Sequence, residues 1–213
     1  MPETETVATN LPTVIPVFPL PKVILFPKSN LPLNIFEPRY LKMIDDARAS
    51  HGIIGMIQPK TDTVEGTPPL YATGGAGRIT NFVATDDGRY LIRLTGISRF
   101  QVSEELAVTT PYRQIKATWH PFSADTLPLS EAGGFDRASL MKELQSYLEA
   151  RGLAADYDGI KAAPDVVLIN TLSMIIPLTT GEKQALLEDE TTAERAKTLK
   201  TLLSMVTTGQ HLN

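Results

Sequence analysis

The residues with the most chemical potential in this sequence are arginines interleaved with aromatic side chains. The set comprises Arg78, Phe82, Arg89, Tyr90, Arg93, Arg99, Phe100, Tyr112 and Arg113. On a β surface such residues can stack on the bases of single-stranded nucleic acid, so RNA binding is one interpretation. The aromatic core of a half-buried β domain accounts for the same residues, and the acidic pairs at 86–87 and 104–105 dilute the positive charge. The second interpretation is favoured, and RNA binding is kept as the alternative function.

Catalytic and metal-binding patterns are not visible. The segment Gly96-Ile97-Ser98-Arg99-Phe100 approaches a nucleophile elbow, but Phe100 replaces the second glycine and no helical pattern follows. The three histidines are far apart and have no metal-ligand spacing. Gly-Lys never occurs, which excludes the Walker phosphate loop. We predict no catalytic residues, no metal and no cofactor; an uncharacterised hydrolase stays a third hypothesis without a visible nucleophile and base.

Composition places the chain among soluble globular proteins. It has 213 residues, 42% of them hydrophobic, and no cysteine, so it can bury a core without disulfides. The net charge is −4, with +1 on residues 1–120 and −5 on residues 121–213, which argues against binding to duplex nucleic acid. The N-terminus lacks the features of a signal peptide, and no apolar run reaches membrane-spanning length. We therefore expect a cytoplasmic protein with no membrane contact.

The elements of the first half read as β structure. Eight of the 16 prolines fall within the first 38 residues, which forbids a helix there and leaves short strands at 14–18 and 23–26. A helix is expected from Pro38 to a left-handed Gly52. The glycines at 74–77 predict a bulge or a sharp bend, and Asp87-Gly88 predicts a β-hairpin.

After Pro121 the apolar period changes to that of helices. Leucines recur every four residues from 140 to 148, and a second apolar pattern, with a spacing of three or four residues, runs from 196 to 206. Thr179 with Glu182 and Thr191 with Glu194 have the form of capping boxes. Residues 166–176 are apolar nearly all round and predict the buried central helix of a small bundle. The fold class is therefore α+β, with strands first and helices second.

Several motifs resemble one known family. The run PVFPLPKVILFP at 16–27 and the run LPLNIFEPRY at 31–40 are similar to the opening of the N-terminal, substrate-binding domain of the Lon protease family. Further blocks follow in the same order at 55–57, 77–79, 87–90, 96–100, 182–188 and 194–195. The resemblance extends over residues ~13 to ~205.

This resemblance implies a stand-alone Lon-type domain. Its fold would be an N-terminal PUA-like bent β barrel with one inserted helix over residues 13–121, followed by a C-terminal helical bundle over 122–213, with a flexible N-terminus at 1–12. Neither the ATPase nor the Ser–Lys peptidase module is present in the sequence, so the implied function is non-catalytic. It is recognition of unfolded or exposed apolar polypeptide segments, as an adaptor in protein quality control, with a separate protease or chaperone as a further partner.

Two groups of residues are candidates for the site. Leu31, Leu33, Ile35 and Phe36 are the candidate polypeptide-binding residues, because the prolines nearby leave a sheet edge open and the apolar side chains could line a groove. The family-motif residues predicted to be structural are Glu37, Arg39, Tyr40, Arg78, Arg99 and Phe100. Glu37 would favour the N-terminus of the helix, and Arg39 and Tyr40 would brace that helix on the barrel.

Overall fold

The computed structural model describes residues 11–62, 66–127, 134–153 and 157–207, and strands precede helices throughout except for one inserted helix. The strands are β1 (Val14–Pro19), β2 (Asn30–Ile35), β3 (Ile53–Pro59), β4 (Leu70–Ala84), β5 (Tyr90–Glu105) and β6 (Arg113–Thr118). The helices are α1 (Pro38–Arg48), α2 (Arg137–Ala150), α3 (Tyr157–Ala162), α4 (Asp165–Ile175), α5 (Thr180–Glu188) and α6 (Thr192–Thr207), and a short 3₁₀ helix spans His120–Thr126. All but two residues of the predicted flexible N-terminus lie outside the described ranges.

The strands form a single mixed sheet in the order β2-β5-β4-β3-β1-β6. The sheet closes on itself because β5 also pairs with β6, using its second half, while its first half pairs with β2. β1 and β3 are parallel, and the other pairings are antiparallel. Among the described strands, β2 therefore pairs with β5 alone.

The longest strands, β4 and β5, form the predicted hairpin. Their pairing starts at Ala84 opposite Tyr90, and Gly88 in the connecting turn has φ +81°, as the Asp-Gly signal requires. The pairing shifts register between Ala76 and Gly77, which confirms a bulge at the glycine cluster. A bulge increases local twist and bends the strand, which helps a sheet to curve.

Residues 23–26 do not form the predicted strand. Instead this crossing segment lies directly against the sheet: a Cβ atom on Gly75 would come 1.9 Å from the Leu25 oxygen, and one on Gly96 would come 2.0 Å from the Phe26 oxygen. Its side chains go to two places, with Leu25 in the core of the sheet and Phe26 in the core of the helices. The strand prediction is wrong because the two glycines let the segment cross strands rather than pair with one.

The inserted helix α1 follows its sequence signals. Pro38 occupies its first turn, Glu37 is the N-cap residue with extended backbone, and Gly52 just beyond the helix has φ +68°. Its buried residues, among them Tyr40, Met43 and Ile44, pack against the sheet core. The predicted helix is confirmed.

The helices after residue 136 pack mainly on one another. Both predicted capping boxes form, since Thr179 and Glu182 exchange hydrogen bonds at α5 and Thr191 and Glu194 do so at α6. α4 contributes Leu168, Ile169 and Leu172 to the core that these helices share. Its burial is one-sided, however, because Ile175 is 67% exposed, so the predicted central helix is not covered all round.

A buried polar joint fastens the sheet to the helices. Arg99 of β5 forms an ion pair with Asp125 at 2.9 Å and donates from its guanidinium to the carbonyl oxygens of Leu187, Asp189 and Glu190, at the end of α5. The Gln58 side-chain amide of β3 donates to Thr180 O and to Gln184 Oε1. These are the partners that a buried guanidinium and a buried amide require.

Candidate functional site

The candidate polypeptide-binding residues lie on β2 and at its end, where the structure separates them. Leu31 and Leu33 are half-buried against the sheet core, and Ile35 belongs to that core with 2% of its surface exposed. Phe36, immediately after the strand, is 62% exposed. Because side chains alternate along a strand, 31, 33 and 35 share the inner face. Of the four residues, Phe36 is therefore the one fully available to a partner, and Ile35 is not.

Strand register places two apolar residues of the outer sheet face near Phe36. Leu91 of β5 pairs with Asn34 on one side and with Val83 of β4 on the other, which places Leu91 and Val83 side by side. These two residues are 44% and 48% exposed. The Arg89 guanidinium lies 5.9 Å from the Phe36 ring centre, which ties Phe36 to the same end of the hairpin. We call Phe36, Val83 and Leu91 the Phe36 patch.

The free edge of β2 borders this patch. Gly96 N donates to Ser29 O at 2.8 Å, so alternation along an antiparallel pair directs the backbone groups of Leu31, Leu33 and Ile35 toward β5. Those of Asn30, Pro32 and Asn34 then face the free edge. Pro32 has no N–H to offer there, which is the position that a sheet tolerates for proline. Pro32 therefore interrupts the row of backbone donors along this edge.

The inner face of the hairpin end is fixed to α1. The Arg48 guanidinium lies 3.6 Å from the Phe82 ring centre, Phe82 and Tyr90 meet edge to face at 4.8 Å, and the Tyr90 hydroxyl is 3.4 Å from Asp45 Oδ2. Aromatic and cation–π contacts of this kind orient their partners. The Phe36 patch therefore lies on a hairpin end that α1 supports from the opposite side.

The residues that follow Phe36 in the FEPRY motif begin α1 and hold this helix against the sheet. Glu37 accepts from Arg39 Nε at 2.9 Å, and the Arg39 guanidinium stacks on the Tyr40 ring at 4.5 Å. Tyr40 is buried and its ring centre is 4.2 Å from that of Phe18 in β1. Burial raises the pKa of Tyr40, and the Arg39 charge offsets part of that effect, so its phenol stays neutral at physiological pH.

The remaining motif residues do not join the patch. Arg78 donates to His51 O at 2.8 Å, linking β4 to the turn that follows α1. Arg99 is 4% exposed and committed to the polar joint, and Phe100 is fully buried. The arginine–aromatic set is therefore divided between the interior and separate surfaces. A base-stacking surface through Arg99 and Phe100 is not formed, and the RNA-binding alternative is not supported.

The described residues show neither a metal-binding cluster nor a membrane-spanning helix. No group of three or more His, Asp or Glu side chains there is arranged to hold a metal ion. Across the same ranges, none of the helices combines the length and the apolar character needed to cross a membrane.

The family model for the substrate-binding domain of the ATP-dependent protease La (Lon) matches residues 14–205. This chain belongs to the Lon substrate-binding domain family. The match covers both the closed sheet and the helices, so the FEPRY segment, the joint arginine Arg99 and the capped helices all belong to the family region. The family model corresponds to a binding domain, and the part of Lon proteins that it describes is neither the ATPase nor the peptidase.

Curated relatives agree with this assignment. The chain is 33% identical to the Lon protease of Roseiflexus castenholzii over 134 residues, which is 62% of this chain and 16% of that protein. It is 30% identical to the Lon protease of Parabacteroides distasonis over 199 residues, which is 89% of this chain and 24% of that protein. The chain thus spans about a sixth to a quarter of the length of these relatives.

Solved structures show the same fold. The Lon N-terminal domain protein from Xanthomonas campestris matches with a TM-score of 0.61 and 22% identity, covering 91% of this chain and 98% of that chain. The N-terminal domain of Mycobacterium avium complex Lon protease matches with a TM-score of 0.62 and 20% identity, covering 93% of this chain and all of the other. The described structure therefore has the α+β fold of Lon N-terminal domains, a mixed six-stranded sheet with helices.

Sequence reasoning missed Val83 and Leu91 as members of the patch. A signal was present in the sequence. Tyr90, Ile92 and Leu94 form one apolar face of β5, and Leu91 is an apolar residue on the opposite face, where a half-buried strand normally carries polar residues. What the sequence could not supply was the pairing of Leu91 with Asn34, which brings the hairpin beside Phe36.

Proposed function

We propose that this chain recognises exposed apolar segments of unfolded polypeptides through the Phe36 patch. The observation that carries the proposal is the 62% exposure of Phe36 beside two further exposed apolar residues on one sheet face. Contiguous exposed apolar residues on a soluble protein mark an interaction surface more often than isolated ones do. Membership of the Lon substrate-binding domain family supports a polypeptide as the ligand.

The chemistry of the patch is that of adaptable side-chain recognition. A ring and two aliphatic side chains can bury apolar side chains of a client without reading a particular sequence. The exposed Arg93 on the same strand face adds positive charge at the border, where it can meet a carboxylate of a client, whereas Arg89 beside Phe36 is paired with Asp87 at 2.9 Å. Extended backbone pairing along β2 is limited by Pro32, so affinity comes chiefly from apolar burial.

The wider role is that of a non-catalytic adaptor in protein quality control. In this role the protein holds a client for a separate protease or chaperone in the cytoplasm. The architecture that serves it is a PUA-like bent β barrel over residues 13–121 and a helical bundle over 122–213. The adaptor part has its own test: adding the protein should raise the rate at which a Lon protease degrades an unfolded client, and an unchanged rate contradicts the adaptor role while leaving client binding intact.

Binding itself is tested by fluorescence anisotropy with a reduced and carboxymethylated protein as the unfolded client and its folded form as the reference. Replacement of both Phe36 and Leu91 by serine should weaken client binding at least tenfold, because burying one such side chain contributes about 1.5–3 kcal/mol. Val108→Ser is the matched control, since Val108 is also an exposed apolar residue but lies in the segment between β5 and β6. Wild-type affinity in a folded double variant contradicts the proposal.

A further inference from the structure

α4 has an apolar composition that normally belongs to a fully buried helix. Its sequence DVVLINTLSMI has one charged residue, Asp165, which is engaged with Arg137 at the start of the helix. A helix that is apolar all round is expected to be covered all round. Here Val167 and Ile175 are 42% and 67% exposed, and Thr171 between them is exposed as well. The face formed by Val167, Thr171 and Ile175 is therefore uncovered within the described structure, and we call it the α4 ridge.

Grooves run along both sides of the α4 ridge. The larger one, about 520 Å³, lies toward α2 and α3 and is lined by apolar residues that include Leu144, Leu148 and Ile160. The smaller one, about 260 Å³, lies toward the turn before β2 and is lined by Pro27, Lys28 and Ser29 among others. All three ridge residues line both grooves. A ridge spaced at four residues with a groove on either side is the surface into which a second helix packs.

The backbone of α4 favours a helical occupant of the α4 ridge over an extended one. Strand addition needs open N–H and C=O groups, and the interior of a helix satisfies these groups internally. The ridge offers side chains at one-turn intervals, which match the rows of an amphipathic helix. Thr171 is the single polar side chain on it, so the contacting stripe of the occupant must be uncharged and largely apolar.

Charges at the borders of the grooves specify the flanks of the occupant. Lys28 lines the smaller groove, and its Nζ donates to Leu127 O at 2.8 Å, with no carboxylate partner in the described structure. Arg151 lies over the ring of Tyr147, which lines the larger groove, at 5.7 Å from the ring centre, and it too has no ion pair there. Two such cations on opposite sides favour acidic residues beside the apolar stripe. A second copy of this chain would instead bring Lys28 and Arg151 of both molecules to one contact.

We propose that the α4 ridge docks an amphipathic α-helix of a polypeptide, with an apolar stripe packed over the ridge and acidic flanks facing Lys28 and Arg151. This surface extends the proposed polypeptide binding to clients or partners that retain helical structure. It is separate from the Phe36 patch, which lies on the sheet. The two proposals can therefore fail independently.

The test is an anisotropy titration with a labelled 18-residue peptide that has a leucine stripe at helical spacing, glutamates on both flanks and alanine elsewhere. A peptide of the same composition in scrambled order and a lysine-flanked version are the reference probes. The glutamate-flanked helix should bind at least tenfold more tightly than either. Equal affinity for the scrambled peptide overturns the proposal.

Variants then assign the surface. Replacing Val167 and Ile175 together by serine should weaken the helical peptide at least tenfold, whereas Val108→Ser and the Phe36/Leu91 double serine variant should leave it unchanged. The Lys28→Glu/Arg151→Glu variant should reverse the preference toward the lysine-flanked peptide. Loss of binding in the Phe36/Leu91 variant, or no reversal in the charge variant, overturns the proposal. So does sedimentation showing a dimer that the Val167/Ile175 variant converts to a monomer.

Discussion

The segment at 36–40 and the segment at 96–100 both combine a phenylalanine with an arginine, and both belong to the family motifs. In the first, Phe36 is exposed at the end of an edge strand. In the second, Phe100 is fully buried and Arg99 is fixed by an ion pair and three carbonyl oxygens. The strand neighbours therefore decide which role a motif has, because β5 is a central strand where it carries Phe100 and β2 is an edge strand.

The largest loss of stability among these predictions is expected at Arg99. Arg99→Leu should lower the free energy of unfolding by about 3–5 kcal/mol, because it removes the counter-charge of the buried Asp125 carboxylate and the side-chain donor to the Leu187 and Glu190 carbonyl oxygens. Urea denaturation measures this, and Arg93→Leu, on an exposed position of the same strand, should change stability by less than about 0.5 kcal/mol. The Arg99→Leu/Asp125→Leu variant should lose less than Arg99→Leu alone; a larger loss contradicts the joint.

The next largest loss of stability is expected at Gly75, which lies against the crossing segment at residues 23–26. Gly75→Ala should destabilise by about 2–3 kcal/mol, because its Cβ would meet the backbone oxygen of Leu25 and the segment would have to move. Gly181→Ala is the matched control: a Cβ there has open space in α5, so that variant should be neutral or more stable by up to about 1 kcal/mol. Thermal unfolding of both variants checks this, and equal melting temperatures contradict the close crossing.

A smaller change in stability, one that depends on pH, is expected from Lys183, a buried cation of α5. Lys183 is buried, donates to Ser173 O at the end of α4, and desolvation lowers its pKa to about 8. Below pH 8 the folded state holds this charge at a cost. Between pH 8 and the usual lysine value near 10.5, the unfolded chain binds more protons than the folded one, so stability rises with pH in that window.

The measurement compares wild type with Lys183→Met by urea denaturation at pH 7.5 and 9.5. The unfolding free energy of the wild type should rise by about 1–2 kcal/mol relative to the variant. Lys197→Met, on the exposed side of α6, should follow the wild type. Parallel pH dependence in all three proteins would show that Lys183 titrates as an exposed lysine does.

The smallest stability effect is expected at Phe36. Phe36→Ser should change the free energy of unfolding by less than about 0.5 kcal/mol, because the ring is mostly in water already. Phe100→Ala should instead cost about 3–5 kcal/mol. Urea denaturation of the two variants measures both changes in the free energy of unfolding. A large loss of stability in Phe36→Ser would mean that the ring supports the fold and is not held out for a partner.

The sequence alone predicts the features that depend on a few neighbouring residues. These include α1 with its proline start and glycine end, the Asp87-Gly88 hairpin, both capping boxes and the bulge at the glycine cluster. Each is a matter of local backbone dihedrals and short-range hydrogen bonds. The family motifs likewise predict the Lon substrate-binding domain, which the family model confirms over residues 14–205.

Only the tertiary structure decides which side of an apolar element is covered. It takes residues 23–26 out of the predicted strand, puts Ile35 inside and Phe36 outside, commits Arg99 to the joint and leaves the α4 ridge open. Burial depends on which distant segments meet, such as β5 with β2 or Leu25 with Gly75. Because the hydrophobic effect is non-directional, an apolar residue does not by itself specify the segment that will cover it. The local pattern therefore determines the elements, and their packing determines the surfaces on which a partner can bind.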